Sequence, residues 1–322
     1  MPTLRVAAVQ MCVDLGAVEA NCAAAERLVR AAFARGARWV ILPEFFTSGV
    51  AFHEKLLDAA RPADGTPYAL LRRLAREHGG VVGGSFIALR GGHAYNTFVL
   101  AFPDGTTCAH DKDLPTMWEN CYYEGGDDDG AFDTPAGRVG VAMCWELVRA
   151  GTARRLRDRV DLVVGGSCWW DVPDGAEGAE ITTLRAQNLE LLRTTPGTFA
   201  RMLGVPLVHA SHAGAFEGFT PGDDQRPYRS RWLGETQIVD ARGEILARRT
   251  RQEGEGVLVA DVDLGSPPAR RIPIPERFWI PDLPASTLAA WESLNEHGRR
   301  YYEEVTLPHR KKGRGASRPT ES

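Results

Sequence analysis

The stretch VGVAMCWEL, residues 139–147, runs from small and branched apolar residues straight into Cys144, Trp145 and Glu146. Val139 to Met143 reads as a buried strand, and the polar turn that follows leaves the thiol at the strand's carboxyl end, where α/β sheets place ligand sites. Two other strands end in the same way. WVILPEFF, residues 39–46, delivers Glu44 from an apolar run, and AHDKDLP, residues 109–115, places Lys112 after a strand and turn. A free cysteine is commonly an inert small hydrophobe, an isolated glutamate a surface charge, and a lysine between two aspartates an exposed ion pair. Together they supply a nucleophile, a base and a fixed cation.

Elements alternate outward from this point. Strand Leu4 to Val9 and an Ala-rich helix from about Val18 to Arg35 come first, followed by strand Trp39 to Leu42 and a helix near Tyr68 to His78. Strands Val81 to Ala88 and Asn96 to Phe102 flank Gly91 and Gly92. The second half repeats the grammar: strand, helix around Thr152 to Arg159, strand Leu162 to Gly166, long helix Ile181 to Leu203, strand Pro206 to Ala210. Such alternation predicts an α/β fold, in one large domain or two smaller ones. Stretches Leu233 to Asp240 and Gly256 to Val262, around the turn candidate ARGE, predict a hairpin closing a sheet edge.

Composition sets the class. A chain of 322 residues, 43% hydrophobic and 25% charged with net charge -4, fits a globular protein and argues against nucleic acid as partner. No apolar run reaches the roughly 20 residues of a membrane span, and MPTLRVAAVQM has no secretory pattern, so a cytoplasmic location is expected. Cysteines 12, 22, 108, 121, 144 and 168 include no CxxC pair, and the eight histidines show no metal-ligand spacing. Free thiols and no metal are expected.

These residues resemble the nitrilase superfamily of carbon-nitrogen hydrolases over residues 4 to 262, with VAAVQM as its opening strand and the Glu44, Lys112 and Cys144 motifs in its order and spacing. The resemblance implies an αββα sandwich, a Glu-Lys-Cys triad and no cofactor. Glu44 is then the general base, Lys112 the oxyanion stabiliser and Cys144 the nucleophile. WENCYYEGGD, residues 118–127, looks like the family's further glutamate motif and points to Glu119 for positioning substrate or holding Lys112, with Glu124 a second choice.

Trp145 and Glu146 are similar to the Cys-Trp-Glu of nitrilases, while Arg149 stands one place late for an amidase-like pattern and Ala150-Gly151 replaces Pro-Glu. Ser211 stands where the family often has asparagine, and Glu235 and Thr236 occupy its Gly-x-Ser-x region. Trp118, Trp145, Trp169 and Trp170 cluster near these motifs. They suit a substrate-binding wall for an apolar or planar acyl group, or equally a core or dimer interface. Cys121 and Cys168 are expected to be spectators.

The expected activity is cleavage of a small carboxamide or N-carbamoyl compound through a thioester, releasing ammonia or an amine. The alternatives are a nitrilase, an acyl transfer to an amine and a catalytically silent binding protein. The expected organisation is a hydrolase domain, 1–281, a helical extension, 282–308, at the interface of a homodimer or higher homo-oligomer, and a disordered basic tail, 309–322. Within the extension, Ser286 to Glu304 puts Leu288, Trp291 and Leu294 on one helix face.

Overall fold

The computed structural model describes residues 2–265 and 270–316. Its first half comprises β1 (Thr3–Met11), α1 (Val18–Ala34), β2 (Trp39–Ile41), β3 (Arg61–Pro62), α2 (Thr66–His78), β4 (Val81–Arg90), β5 (His93–Ala101) and β6 (Thr107–Asp111). Next come β7 (Ala131–Thr134), β8 (Gly137–Val141), α3 (Ala150–Leu156), β9 (Leu162–Ser167), α4 (Ala179–Leu203) and β10 (Leu207–His212). A hairpin of β11 (Ala215–Thr220) and β12 (Asp223–Arg231) precedes β13 (Thr236–Val239), β14 (Ile245–Arg249) and β15 (Gly256–Asp263). Helix α5 (Ala285–Tyr301) passes through a π-helical turn, Tyr302–Thr306, into α6 (Leu307–Ala316).

The main sheet runs β6-β5-β4-β2-β1-β10-β9-β8-β7, and side-chain alternation along its strands builds the layers. Val6, Ala8, Trp39, Ile41, Phe98 and Leu100 point into one apolar cluster with Val139, Val141, Leu162, Val164, Val208 and Ile238 from the other half. The intervening residues turn the opposite way. Ala7, Val9, Val40 and Val99 pack under Leu28 and Val29 of α1 and Leu71 and Leu74 of α2. Val163, Leu207 and Val239 pack under Ala153 and Leu156 of α3 and Phe199 and Leu203 of α4. Helix, sheet, sheet and helix are thus cemented by three apolar layers, the expected αββα sandwich. Among the described residues no helix is long and apolar enough to cross a membrane.

The turn Asp240 to Glu244 joins β13 to β14, and Asp240 Oδ1 accepts hydrogen bonds from the amides of Arg242 (2.8 Å) and Glu244 (2.9 Å). The hairpin expected between Leu233–Asp240 and Gly256–Val262 is therefore corrected. Strand β15 instead pairs antiparallel with β1, from Thr3 opposite Asp263 to Gln10 opposite Gly256. Strand β14 escapes sequence reading because Ile245 and Leu246 are exposed, so its pattern carries no buried alternation.

The apolar face of α5 finds its partners within its own chain, where Leu288, Trp291 and Leu294 pack against Met117, Trp145, Trp169 and Leu283. The disordered tail expected from residue 309 is also corrected, since α6 continues to Ala316. His309 Nε2 pairs with Asp58 Oδ1 at 2.8 Å, and Arg310 Nη2 donates to the Tyr122 carbonyl at 2.8 Å. These anchors lie far away in sequence, so the basic composition hides them. Residues 317–322 of that tail lie outside the described residues.

Candidate active site

Strand β2 carries the chain to Glu44, and the two phenylalanines that follow are fully buried anchors. Phe45 adopts φ 52°, its amide donates to Ser85 Oγ at 2.9 Å, and the amide of Phe46 donates to the Ser85 carbonyl at 3.0 Å. The Glu44 carboxylate is thereby locked inside the protein. Its Oε1 accepts from Asn96 Nδ2 at 2.9 Å and Lys112 Nζ at 2.8 Å, and its Oε2 from the Cys168 amide at 2.9 Å. His212 Nε2 bonds the Glu44 carbonyl at 2.7 Å.

Lys112 leaves the end of β6, held by its own amide on the Asn96 carbonyl at 2.9 Å. Its ammonium also donates to Glu119 Oε2 at 2.7 Å. Glu119 sits in a single helical turn, Met117–Cys121, capped by Thr116, whose amide donates back to Glu119 Oε2 at 2.9 Å. The Tyr123 hydroxyl donates to the same oxygen. Glu119 Oε1 is buried without a hydrogen-bond partner. Glu124, the second choice from sequence, is half-exposed and pairs with His93 at 2.8 Å.

Cys144 opens another short helical turn, Cys144–Val148, two residues past the end of β8, and it does so at φ 50°. A non-glycine residue in that region stores strain of order 1–3 kcal/mol, which the packing around it must hold. Donor atoms of Cys144, Glu44 and Glu119 all lie within 4.8 Å of one another. Burial, with the Glu44 carboxylate adding to it and Lys112 opposing, pushes the Cys144 thiol well above its ordinary value. Burial likewise lifts the Glu44 carboxyl to about 7, against the pull of Lys112. Burial disfavours the Lys112 charge, but Glu119 and Glu44 outweigh it and hold that ammonium well above its ordinary pKa.

Glu44, Lys112 and Glu119 are sealed from solvent, whereas Cys144, only 1% exposed, lines a cavity of about 300 Å³. Trp118, Trp145, Trp169 and Trp170 line it too, so all four tryptophans singled out in the sequence meet at the thiol. They also pack on each other: Trp118 stacks on Trp170 with centroids 4.2 Å apart, and Trp145 tilts against Trp169 at 5.9 Å. The carbon-nitrogen hydrolase family matches residues 5–269, which span both sheets and every residue of this constellation. The chain belongs to the carbon-nitrogen hydrolase family.

This hydrolase is 30% identical over 258 residues to the N-carbamoylputrescine amidase of Arabidopsis thaliana, covering 77% of this chain and 82% of that protein. It is 29% identical over 277 residues to the omega-amidase of Bos taurus, covering 82% and 90%. It shares its fold with Nit3 of Saccharomyces cerevisiae, a member of branch 10 of the nitrilase superfamily, at a TM-score of 0.62 and 21% identity over 81% of this chain and 90% of that one. It is thus an enzyme acting on carbon-nitrogen bonds other than peptide bonds.

In the hydrolase, the three donor atoms of Cys144, Glu44 and Glu119 are close enough to suit a cation. The Lys112 ammonium already bridges the two carboxylates, so the set is built around that ammonium. Glu146, matched from sequence to the nitrilase motif, points away from the cavity. It holds His110, the Met143 amide at 2.8 Å and the Asp113 amide at 3.1 Å. Arg149 grips Asp113 and the Leu114 carbonyl, the latter at 3.1 Å, bracing the lysine loop. Thr236 Oγ1 accepts from the Ser211 amide at 3.1 Å and Glu235 pairs with Arg248 at 2.6 Å, so the departures there stitch strands together and leave the cavity wall untouched.

Asn96, Tyr123, His110 and Asp128 were not singled out in the sequence. Asn96 alone carries a local signal, a fully buried amide inside the apolar strand β5.

Proposed function

We propose that this hydrolase cleaves a small carboxamide or N-carbamoyl compound through a thioester on Cys144, acting as a cytoplasmic homodimer. The observation that carries the reading is the approach of Cys144 and Glu44 within 4.8 Å beside an ammonium that touches Glu44 at 2.8 Å. Glu44 takes the thiol proton as Cys144 Sγ bonds to the amide carbon. Lys112 Nζ and the Trp145 amide stabilise the oxyanion, because amides in the first turn of a helix have no partner within it.

Glu44 then gives its proton to the leaving nitrogen as the carbon-nitrogen bond breaks, and ammonia or an amine departs. A water passes a proton to Glu44 while its oxygen attacks the thioester, the carbon-sulfur bond breaks, and Cys144 recovers its proton. Glu119 holds Lys112 and turns its unpaired Oε1 to the substrate's amide nitrogen.

The Cys-Trp-Glu run favours a nitrile as second substrate class, although Glu146 is spent on His110 and two backbone amides. Ammonia release and intact mass, measured on wild type and Cys144→Ala with matched amides, N-carbamoyl compounds and nitriles, test the reading. A transient acyl adduct and turnover in wild type alone are expected. Turnover retained by Cys144→Ala overturns it. Sedimentation of the intact chain and of a chain truncated after Pro281 tests the dimer and the part of residues 282–308 in it.

A further inference from the structure

The family match ends at residue 269, yet Ser286, Thr287, Ala290 and Leu294 of α5 line the cavity at Cys144. The helix is fastened to the turn that carries Trp118 and Glu119. Asn295 Oδ1 accepts from the Met117 amide at 2.7 Å and from Asn120 Nδ2 at 2.8 Å. Gly298 lies so near Asn120 that an added Cβ would meet the Asn120 Cβ at 2.6 Å. Thr306 Oγ1, one turn beyond α5, donates to the Cys121 carbonyl at 2.6 Å. The position of α5 is therefore coupled to the catalytic turn.

No Lys, Arg or His lines this cavity among the described residues, and Asp171, its one carboxylate, is tied to Arg251 at 3.0 Å. A carboxylate on the acyl group would lose its water there without gaining a counter-ion, and an uncompensated buried charge is strongly unfavourable. Indole rings favour an apolar or planar group instead. At about 300 Å³ the cavity lies at the small end of ligand sites.

We propose that α5 is the specificity element of this active site: it roofs the acyl pocket, so the enzyme takes carboxamides with an apolar or aromatic acyl group that carries no carboxylate and whose bulk Ala290 and Leu294 limit. The proposal rests on Cys144 being the acylated nucleophile.

The test uses the full chain, Ala290→Phe and Leu294→Ala, with kcat/KM measured on acetamide, butyramide, benzamide and the anionic succinamate. Benzamide or butyramide should exceed succinamate by about 100-fold in wild type. Ala290→Phe should raise the acetamide-to-benzamide ratio by about tenfold, and Leu294→Ala should lower it. Alkylation of Cys144 by iodoacetamide and by the bulkier iodoacetanilide, followed by intact mass with Cys144→Ala as blank, reads the same roof without turnover. Ala290→Phe should slow the bulkier reagent more, and Leu294→Ala should speed it. Reagent discrimination in a chain that hydrolyses no amide keeps the roof and sinks the amidase reading. Size profiles and reagent ratios identical in all three chains, or succinamate as the preferred amide, overturn the proposal.

Discussion

His110 and Glu146 face each other in full burial, with Nε2 3.1 Å from Oε1. His110 Nδ1 bonds Asp128 Oδ1 at 2.6 Å, so both ring nitrogens meet carboxylates and both donate. The same Glu146 accepts from the Met143 amide, just before Cys144, and from the Asp113 amide, just after Lys112. One carboxylate thus ties the cysteine turn to the lysine loop, and its own charge is held by the imidazolium and by Arg155 at 3.5 Å.

Removing that carboxylate should loosen both loops at once. Glu146→Ala is expected to cost about 3–5 kcal/mol in urea denaturation, the range for breaking a buried ion pair. Glu146→Gln, which keeps an acceptor of the same shape, should cost less. Because Glu146 is absent from the cavity wall, the Gln variant should lose kcat while KM changes little; a pure KM effect would contradict the positioning role.

The imidazolium makes a separate prediction about pH. Burial opposes its charge, but Glu146 and Asp128 outweigh this and raise His110 from 6.5 to about 10. A raised pKa stabilises the fold fully below pH 6.5, and that contribution is lost as pH rises from there to about 10. The urea midpoint of wild type should therefore fall over this window, and His110→Gln should be less stable at pH 6.5 with a flatter alkaline profile. Parallel profiles for the two chains would show that His110 is not the titrating group.

Catalysis follows a lower window. In the proposed mechanism Glu44 must be ionised to take the Cys144 proton, and burial has lifted it from 4.5 to about 7. Hydrolysis at subsaturating substrate should accordingly rise with pH through about 7. Asn96→Leu removes a hydrogen bond of 2.9 Å to the ionised form, so the rising limb should move to higher pH. A limb centred near 4.5 in wild type would mean that another group sets the rate.

The sequence disclosed Glu44, Lys112 and Cys144 because each follows its own strand within a short, recognisable run, as ILPEFF does for Glu44. Partners supplied by other elements left no local trace: Asp128 behind His110 and Arg149 on Asp113 are visible only once the loops are folded. The roof over the cavity was hidden for the same reason. Leu288, Trp291 and Leu294 announced an apolar helix face, but periodicity names no partner, and the face packs beside Cys144 in its own chain.

Lys112→Met isolates the electrostatics of the centre. Without the ammonium, Glu44 and Glu119 become two buried carboxylates facing each other with no cation between them, and the missing contacts measured 2.8 and 2.7 Å. Activity should vanish to the limit of the ammonia assay, because in the proposed mechanism both oxyanion stabilisation and the pull on Glu44 are lost. Stability should fall by about 3–5 kcal/mol at pH 8, where both carboxylates are forced to ionise or to hold a proton against solution. The sign with pH is fixed: like charges raise a carboxyl pKa, and a group that binds its proton more tightly when folded is stabilising at low pH. The deficit relative to wild type should therefore shrink at pH 5, as protons replace the ammonium. Urea midpoints at pH 5 and pH 8 decide the matter, and equal deficits at both would mean that Lys112 contributes packing alone.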